Sequence, residues 1–207
     1  MKRYPKWKSV LGAAGLAAAV MLTASAPSAW ADPQPDITDD AFLKDCQDTV
    51  NAYRARHGAP PLTFDETLIE YAQERAQEVS AAGKPTHDGL DPRYGENLDR
   101  GSTGHSDESA PYKPRTCKQA VDGWYNEARK YDFDNPGPQN KADNFTQLVW
   151  ASTTKIGCAR AGGEKPDDGS GWYWYETYIV CNFETPGNQY NTNDPATAYK
   201  DNVHKAK

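Results

Sequence analysis

The segment that most constrains this chain is residues 172–182. Read as a strand, one face carries Trp172, Trp174, Tyr178 and Val180, and the other carries Tyr173, Tyr175, Ile179 and Cys181. A strand that is apolar on both faces has to be covered on both. The chain supplies helical stretches to do so but has no regular βαβ alternation. A sheet held between helical layers is therefore expected, and a doubly wound sheet is not.

Four helices are readable. Thr38 is placed to cap the first, with Asp39 and Asp40 in its first turn, where the helix dipole favours acids. Phe42, Cys46, Val50 and Tyr53 follow at helical spacing. Arg54, Arg56 and His57 load the last turn, Gly58 ends it, and Pro60-Pro61 forbids continuation. The second helix spans about residues 65–82, with Leu68, Ala72, Ala76 and Val79 as its stripe. Thr116 can cap a third, carrying Cys117, Ala120, Val121, Trp124 and Ala128. A short fourth holds Phe145, Leu148 and Val149, and residues 155–160 suit a second strand. Residues 99–115 are Gly, Ser, Pro and charge, and read as a surface loop able to gate a groove.

The ends read differently. Residues 1–31 have Lys2, Arg3, Lys6 and Lys8, then an uncharged apolar run of 13 residues, then Ala29-Trp30-Ala31. This is the pattern of a cleaved secretory signal, and the run is short for a span needing about 20 residues. The expected organisation is a signal over 1–31, a mobile lead-in over 32–38, one domain over 39–190 and a tail over 191–207. Loss of the signal removes four of the 23 Lys and Arg against 29 acids, giving a net charge of −10. That charge opposes nucleic acid and anionic membrane as partners, and no stable membrane span is expected after signal removal.

All four cysteines, Cys46, Cys117, Cys158 and Cys181, lie outside the signal. An even count in an exported chain implies two disulfides, in one of three connectivities. If Gly169-Ser170 is a two-residue hairpin turn, facing residue numbers total 339 and Cys158 meets Cys181. Cys46 and Cys117 then remain to join the first and third helices. A longer loop breaks that register. Each bridge contributes about 2–4 kcal/mol. No CxxC pair suggests a zinc ribbon.

The chain has no HExxH, GxSxG or P-loop. It does carry Asn51-Ala52-Tyr53-Arg54, Pro60-Pro61-Leu62-Thr63-Phe64-Asp65, His87, and Tyr94-Gly95-Glu96-Asn97-Leu98. Further along come Ala120-Val121-Asp122-Gly123-Trp124-Tyr125-Asn126-Glu127, Phe145-Thr146-Gln147-Leu148-Val149-Trp150, Ile156-Gly157-Cys158-Ala159, Val180-Cys181-Asn182-Phe183 and Pro186-Gly187-Asn188. In this order, over about residues 40–190, the chain resembles the secreted CAP (SCP-domain) proteins. These include plant pathogenesis-related proteins, cysteine-rich secretory proteins and insect venom antigens. The resemblance implies an α+β single-domain α/β/α sandwich with a mostly antiparallel central sheet between helical layers. In venom-antigen relatives the cysteines matching Cys158 and Cys181 pair.

The resemblance also implies a surface cleft with two histidines and two glutamates, the histidines binding a divalent metal such as zinc in many members. By position these are His87, Glu96, Glu127 and, where the second histidine belongs, Asn144. An Asn amide oxygen is a poorer zinc ligand than imidazole, which leaves His87 as the one expected imidazole ligand. His105, in the expected loop, is a conceivable replacement, and Asp143 is adjacent but directed elsewhere. A cation preferring oxygen ligands would use Glu96, Glu127 and Asn144. Plainer roles are also open: Glu96 paired with Arg93, Glu127 solvated, and Asn144 capping the fourth helix. Asn144-Phe145-Thr146 is a glycosylation sequon best read as accidental, and Trp172, Tyr173, Trp174 and Tyr175 suit core packing better than a carbohydrate platform.

The expected function is a secreted, extracellular binding module. Its partners would be a small hydrophobic, lipid or sterol-like ligand or an extracellular protein, and the chain leans away from being an enzyme. The alternatives are a metal-dependent hydrolase with His87 as ligand and Glu96 or Glu127 as base, and a purely structural interaction domain.

Overall fold

The computed structural model describes residues 32–106, 109, 111, 113–164 and 170–207. The expected signal and Gly169 of the expected turn lie outside the described residues. The elements in order are α1 (Asp40–Arg56), β1 (Thr63–Phe64), α2 (Glu66–Ala81), β2 (Gly95–His105), α3 (Cys117–Asn126), a 3₁₀ turn (Glu127–Lys130), α4 (Asp143–Val149), β3 (Lys155–Glu164), β4 (Tyr173–Glu184) and α5 (Pro195–Asn202).

Local chemistry sets the helix starts. The Asp39 carboxylate accepts from the Phe42 amide at 2.7 Å and caps α1. Thr38, the expected cap, instead accepts from the Arg160 amide at 2.9 Å. Asp65 caps α2, and Thr116 caps α3 in a reciprocal capping box with Gln119.

The sheet runs β1-β3-β4-β2, antiparallel except where β1 meets β3. Cys158 faces Cys181, as the register argument requires. The alternation along β4 sorts the core into two layers. On one face Ile179, Cys181 and Phe183 pack with α1, α3 and α4 through Val50, Val121, Trp124, Phe145 and Leu148. On the other, Tyr178 and Val180 pack with Ala72, Ala76 and Val79 of α2. Both disulfides form, Cys46–Cys117 and Cys158–Cys181, and all four sulfurs are buried within 4.8 Å of one another.

Four expectations need correction. Residues 99–105 of the expected loop are not loop: they continue β2 from Gly95, an edge strand paired with β4 along its whole length. Its Gly-rich composition reflects what lies on it. A Cβ on Gly104 would come within 2.8 Å of the Trp174 ring. The aromatic stretch is core only from Tyr175 onward, since β4 starts at Tyr173 and Trp172 is half exposed beyond the sheet.

The lead-in is not free. Ile37 donates to the Arg160 carbonyl and Gly162 to that of Pro35, which extends the β3 edge past the two-residue β1. Nor are residues 191–207 a tail. Asp194 caps α5, Tyr199 and Val203 enter the core, and the Lys207 amide donates to the Arg56 carbonyl. Among the described residues, no helix is long and apolar enough to cross a membrane.

Candidate functional site

The site forms where the start of β2, the N-terminus of α4 and the chain after β4 converge. Glu96 is its anchor. The first turns of β2 direct this carboxylate inward, where its side chain is fully buried beside the equally buried Arg75 of α2. Arg75 grips it with two bonds, Nε to Oε2 at 2.9 Å and Nη2 to Oε1 at 3.0 Å. Asn182 Nδ2 donates to Oε2 at 3.1 Å, and His87 Nδ1 lies 2.9 Å from Oε1. Burial raises the Glu96 carboxyl pKa. Hydrogen bonds from His87 and Arg75, the Arg75 charge and the Asn182 bond outweigh it and hold the pKa below its ordinary value. An ionised Glu96 can only accept, so His87 Nδ1 is the donor in this bond. Arg75 also donates to the carbonyls of Thr86 and Asp88, which fixes the turn that carries the largely exposed His87. Arg93 pairs with Asp91, not with Glu96.

Glu127 has a different task. Its Oε2 accepts from the amides of Asn144 and Phe145 at 3.0 and 3.2 Å, and its Oε1 from Asn144 Nδ2 at 2.8 Å. It is therefore neither solvated nor a cavity wall: it caps α4 from outside, the role expected of Asn144. Ala142, the residue before α4, makes no side-chain cap. At the opposite end of α4, the fully buried Arg54 donates to the carbonyls of Leu148 and Trp150, each at 2.9 Å. The two charges sit where the helix dipole favours each sign. Burial pulls the Arg54 pKa down to about 10, so the guanidinium stays charged at neutral pH.

The walls are joined across elements. Asn97 Nδ2 donates to the Asn144 carbonyl at 2.9 Å, and the Gly187 amide donates to Gln147 Oε1 at 2.7 Å. A Cβ on Gly95 would lie 2.0 Å from that same Oε1, so the position tolerates only glycine unless Gln147 moves. Asn188 accepts from Thr146 and donates to the Asp143 carbonyl.

Together these residues border an open cavity of about 400 Å³ lined by His87, Glu96, Asn97, Asp143, Asn144, Gln147, Asn188 and Gln189, with Leu90 and Tyr94 as its larger apolar contributors. The structure thus brings His87, Glu96 and Asn144 to one cavity and places Glu127 behind Asn144. His105 does not join them: it ends β2 opposite Tyr173, its ring against Tyr175. Within the sequon, Thr146 is buried and Asn144 Nδ2 is held by Glu127.

The donor set does not fit a divalent cation. Both Glu96 oxygens are taken up by Arg75, His87 and Asn182, and both Glu127 oxygens by the start of α4. Asn144 turns its amide nitrogen to Glu127, and His87 stands as a single imidazole. Among the described residues, the group of His, Cys, Asp or Glu compact enough to ligate a metal is the four cysteines, all of them bridged. Sequence reading missed Arg75, Asn97 and Asn182. The signal for Arg75 was present: it lies three residues after Ala72 and four before Val79, on the buried stripe of α2.

Comparison with known proteins agrees with this architecture. A family model described as "Cysteine-rich secretory protein family" matches residues 47–183. "Secreted protein RBT4" of Candida albicans is 37% identical over 176 residues, 84% of this chain and 43% of the relative. "Pathogenesis-related protein PR-1 type" of Sambucus nigra is 33% identical over 147 residues, 70% of this chain and 77% of the relative. The chain spans less than half the length of the fungal relatives it matches. The crystal structure of MpPR-1i shares the fold, with a TM-score of 0.53 at 20% identity over 75% of this chain and 96% of that one. The helical layers on both sheet faces, the two bridges and the family match over most of the domain carry one conclusion: the chain belongs to the cysteine-rich secretory protein (CAP) family.

Proposed function

We propose that the protein works outside the cell as a binding module, and that its cavity takes a polar, hydrogen-bonding ligand. The observation that carries this reading is the lining. His87, Asp143, Asn144 and Gln189 present polar groups around a space of about 400 Å³, while Leu90 and Tyr94 supply a smaller apolar share of the wall. Amide groups of a peptide segment or hydroxyls of a sugar match that lining. A lipid or sterol-like ligand, the class the resemblance suggests, would need a different surface. The alternative of a metal-dependent hydrolase is disfavoured, because neither Glu96 nor Glu127 offers an unengaged carboxylate to act as base. The leader-like residues 1–31 and the name of the secreted fungal relative support an extracellular site of action.

Mass spectrometry of small molecules and metals carried by the natively secreted protein tests this. A polar compound that is retained by the wild type and lost in His87→Ala supports it. A lipid retained equally by both proteins, or a stoichiometric metal, overturns it.

A further inference from the structure

The two disulfides are usually thought of as separate staples, but here their sulfurs form one group. Cys46 and Cys117 join α1 to α3, and Cys158 and Cys181 join β3 to β4. All four sulfurs are buried within 4.8 Å of one another. A thiolate formed at one position therefore has the sulfurs of the other bridge as its neighbours. We propose that the four cysteines form a single internal exchange unit: once an external thiol or reductant opens one bridge, the thiolate it leaves re-pairs the bridges inside the core with no further external thiol.

The step is a displacement with no net oxidation. A Cys117 thiolate attacks one sulfur of the Cys158–Cys181 bridge. The new bond joins Cys117 to Cys158, the old bridge breaks, and Cys181 leaves as a thiolate, taking up the proton Cys117 gave away. Attack on the other sulfur joins Cys117 to Cys181 and releases Cys158. Cys117 is the fitting nucleophile. Cys117 alone of the four opens a helix: it is the first residue of α3, where the dipole favours a thiolate. The others lie within α1, β3 and β4. A bridge formed in the wrong pairing during oxidation can then be edited where it stands, because the correct partner is already in reach.

Cys46→Ala tests the proposal by freeing Cys117 beside an intact bridge. The folded variant is held at pH 8 with iodoacetamide and no other thiol, and its bridges are mapped by peptide mass spectrometry. Cross-links of Cys117 to Cys158 or Cys181 should accumulate, with the alkyl group on the released cysteine, at a rate independent of protein concentration. Cys46→Ala combined with Cys117→Ala should show neither. Alkylation of Cys117 alone, with Cys158–Cys181 intact throughout, overturns the proposal. The wild type gives a second reading that needs no variant. Native protein treated with one equivalent of a phosphine reductant and then alkylated should yield one-bridge molecules that include non-native pairs. Recovery of native pairs only overturns the proposal equally.

Discussion

Glu127 holds Asn144 by two groups at once, its Oε1 on the side-chain amide at 2.8 Å and its Oε2 on the main-chain amide at 3.0 Å. A carboxylate from the 3₁₀ turn thereby supplies the cap that α4 lacks in its own sequence. Glu127→Ala should cost about 0.5–2 kcal/mol, the range for loss of a helix cap, read as a lowered urea midpoint. The Asn144 and Phe145 amides should exchange faster with solvent. Unchanged exchange at both would argue against the capping role.

Arg75 and Glu96 form a buried pair, and removing one partner leaves the other charge without compensation. Arg75→Met should lower stability by about 3–5 kcal/mol, measured by equilibrium unfolding. Replacing both, as Arg75→Met with Glu96→Gln, should recover part of that loss. In the wild type, the folded Glu96 pKa lies below its unfolded value. Its contribution is thus present above the ordinary carboxylate range and lost as pH falls through the folded pKa.

His57 sits under the C-terminal segment, its Nδ1 2.6 Å from the His204 carbonyl and its Nε2 3.1 Å from the Tyr125 hydroxyl. Burial lowers its pKa, and the hydrogen bond to His204 offsets this only in part. The unfolded chain therefore takes a proton that the folded chain refuses. Stability should decline as pH falls from about 6.5, the unfolded value, toward the folded one. Urea midpoints at pH 7.5 and 5.5 should differ in the wild type and differ less in His57→Gln.

Zinc should give no saturable heat when titrated calorimetrically into the protein, because the cavity carboxylates are already engaged. A stoichiometric isotherm that disappears in His87→Ala would contradict the donor assignment above.

The two-faced apolar pattern of residues 172–182 was enough to predict helices on both sides of a sheet, and the turn assumed at Gly169-Ser170 gave the register that sets Cys158 opposite Cys181. The polar edge was not legible. Gly101-Ser102-Thr103-Gly104 carries no apolar alternation because β2 gains its order from pairing with β4, and Gly104 is small to let Trp174 lie over it. The last residues were illegible for a related reason. Tyr199 and Val203 are two apolar positions in a polar stretch, and only the docked geometry shows both entering the core. At the site, resemblance named residues that do gather around one cavity but could not show their bonding. Glu96, on β2, saturates through Arg75 of α2, and Glu127 turns toward α4.

The helix that carries Asn144 and Gln147 is only seven residues long, well below the length at which a peptide helix persists in water. It persists because Phe145, Leu148 and Val149 are buried in the core and because Arg54 and Glu127 hold its two ends. Neither charge lines the cavity. Shape and recognition are thereby assigned to different residues, so exposed wall positions such as Asp143 and Gln189 are open to exchange without loss of the fold. A change at Arg54, which does not line the cavity, would unseat the end of α4 and with it the wall that carries Asn144 and Gln147.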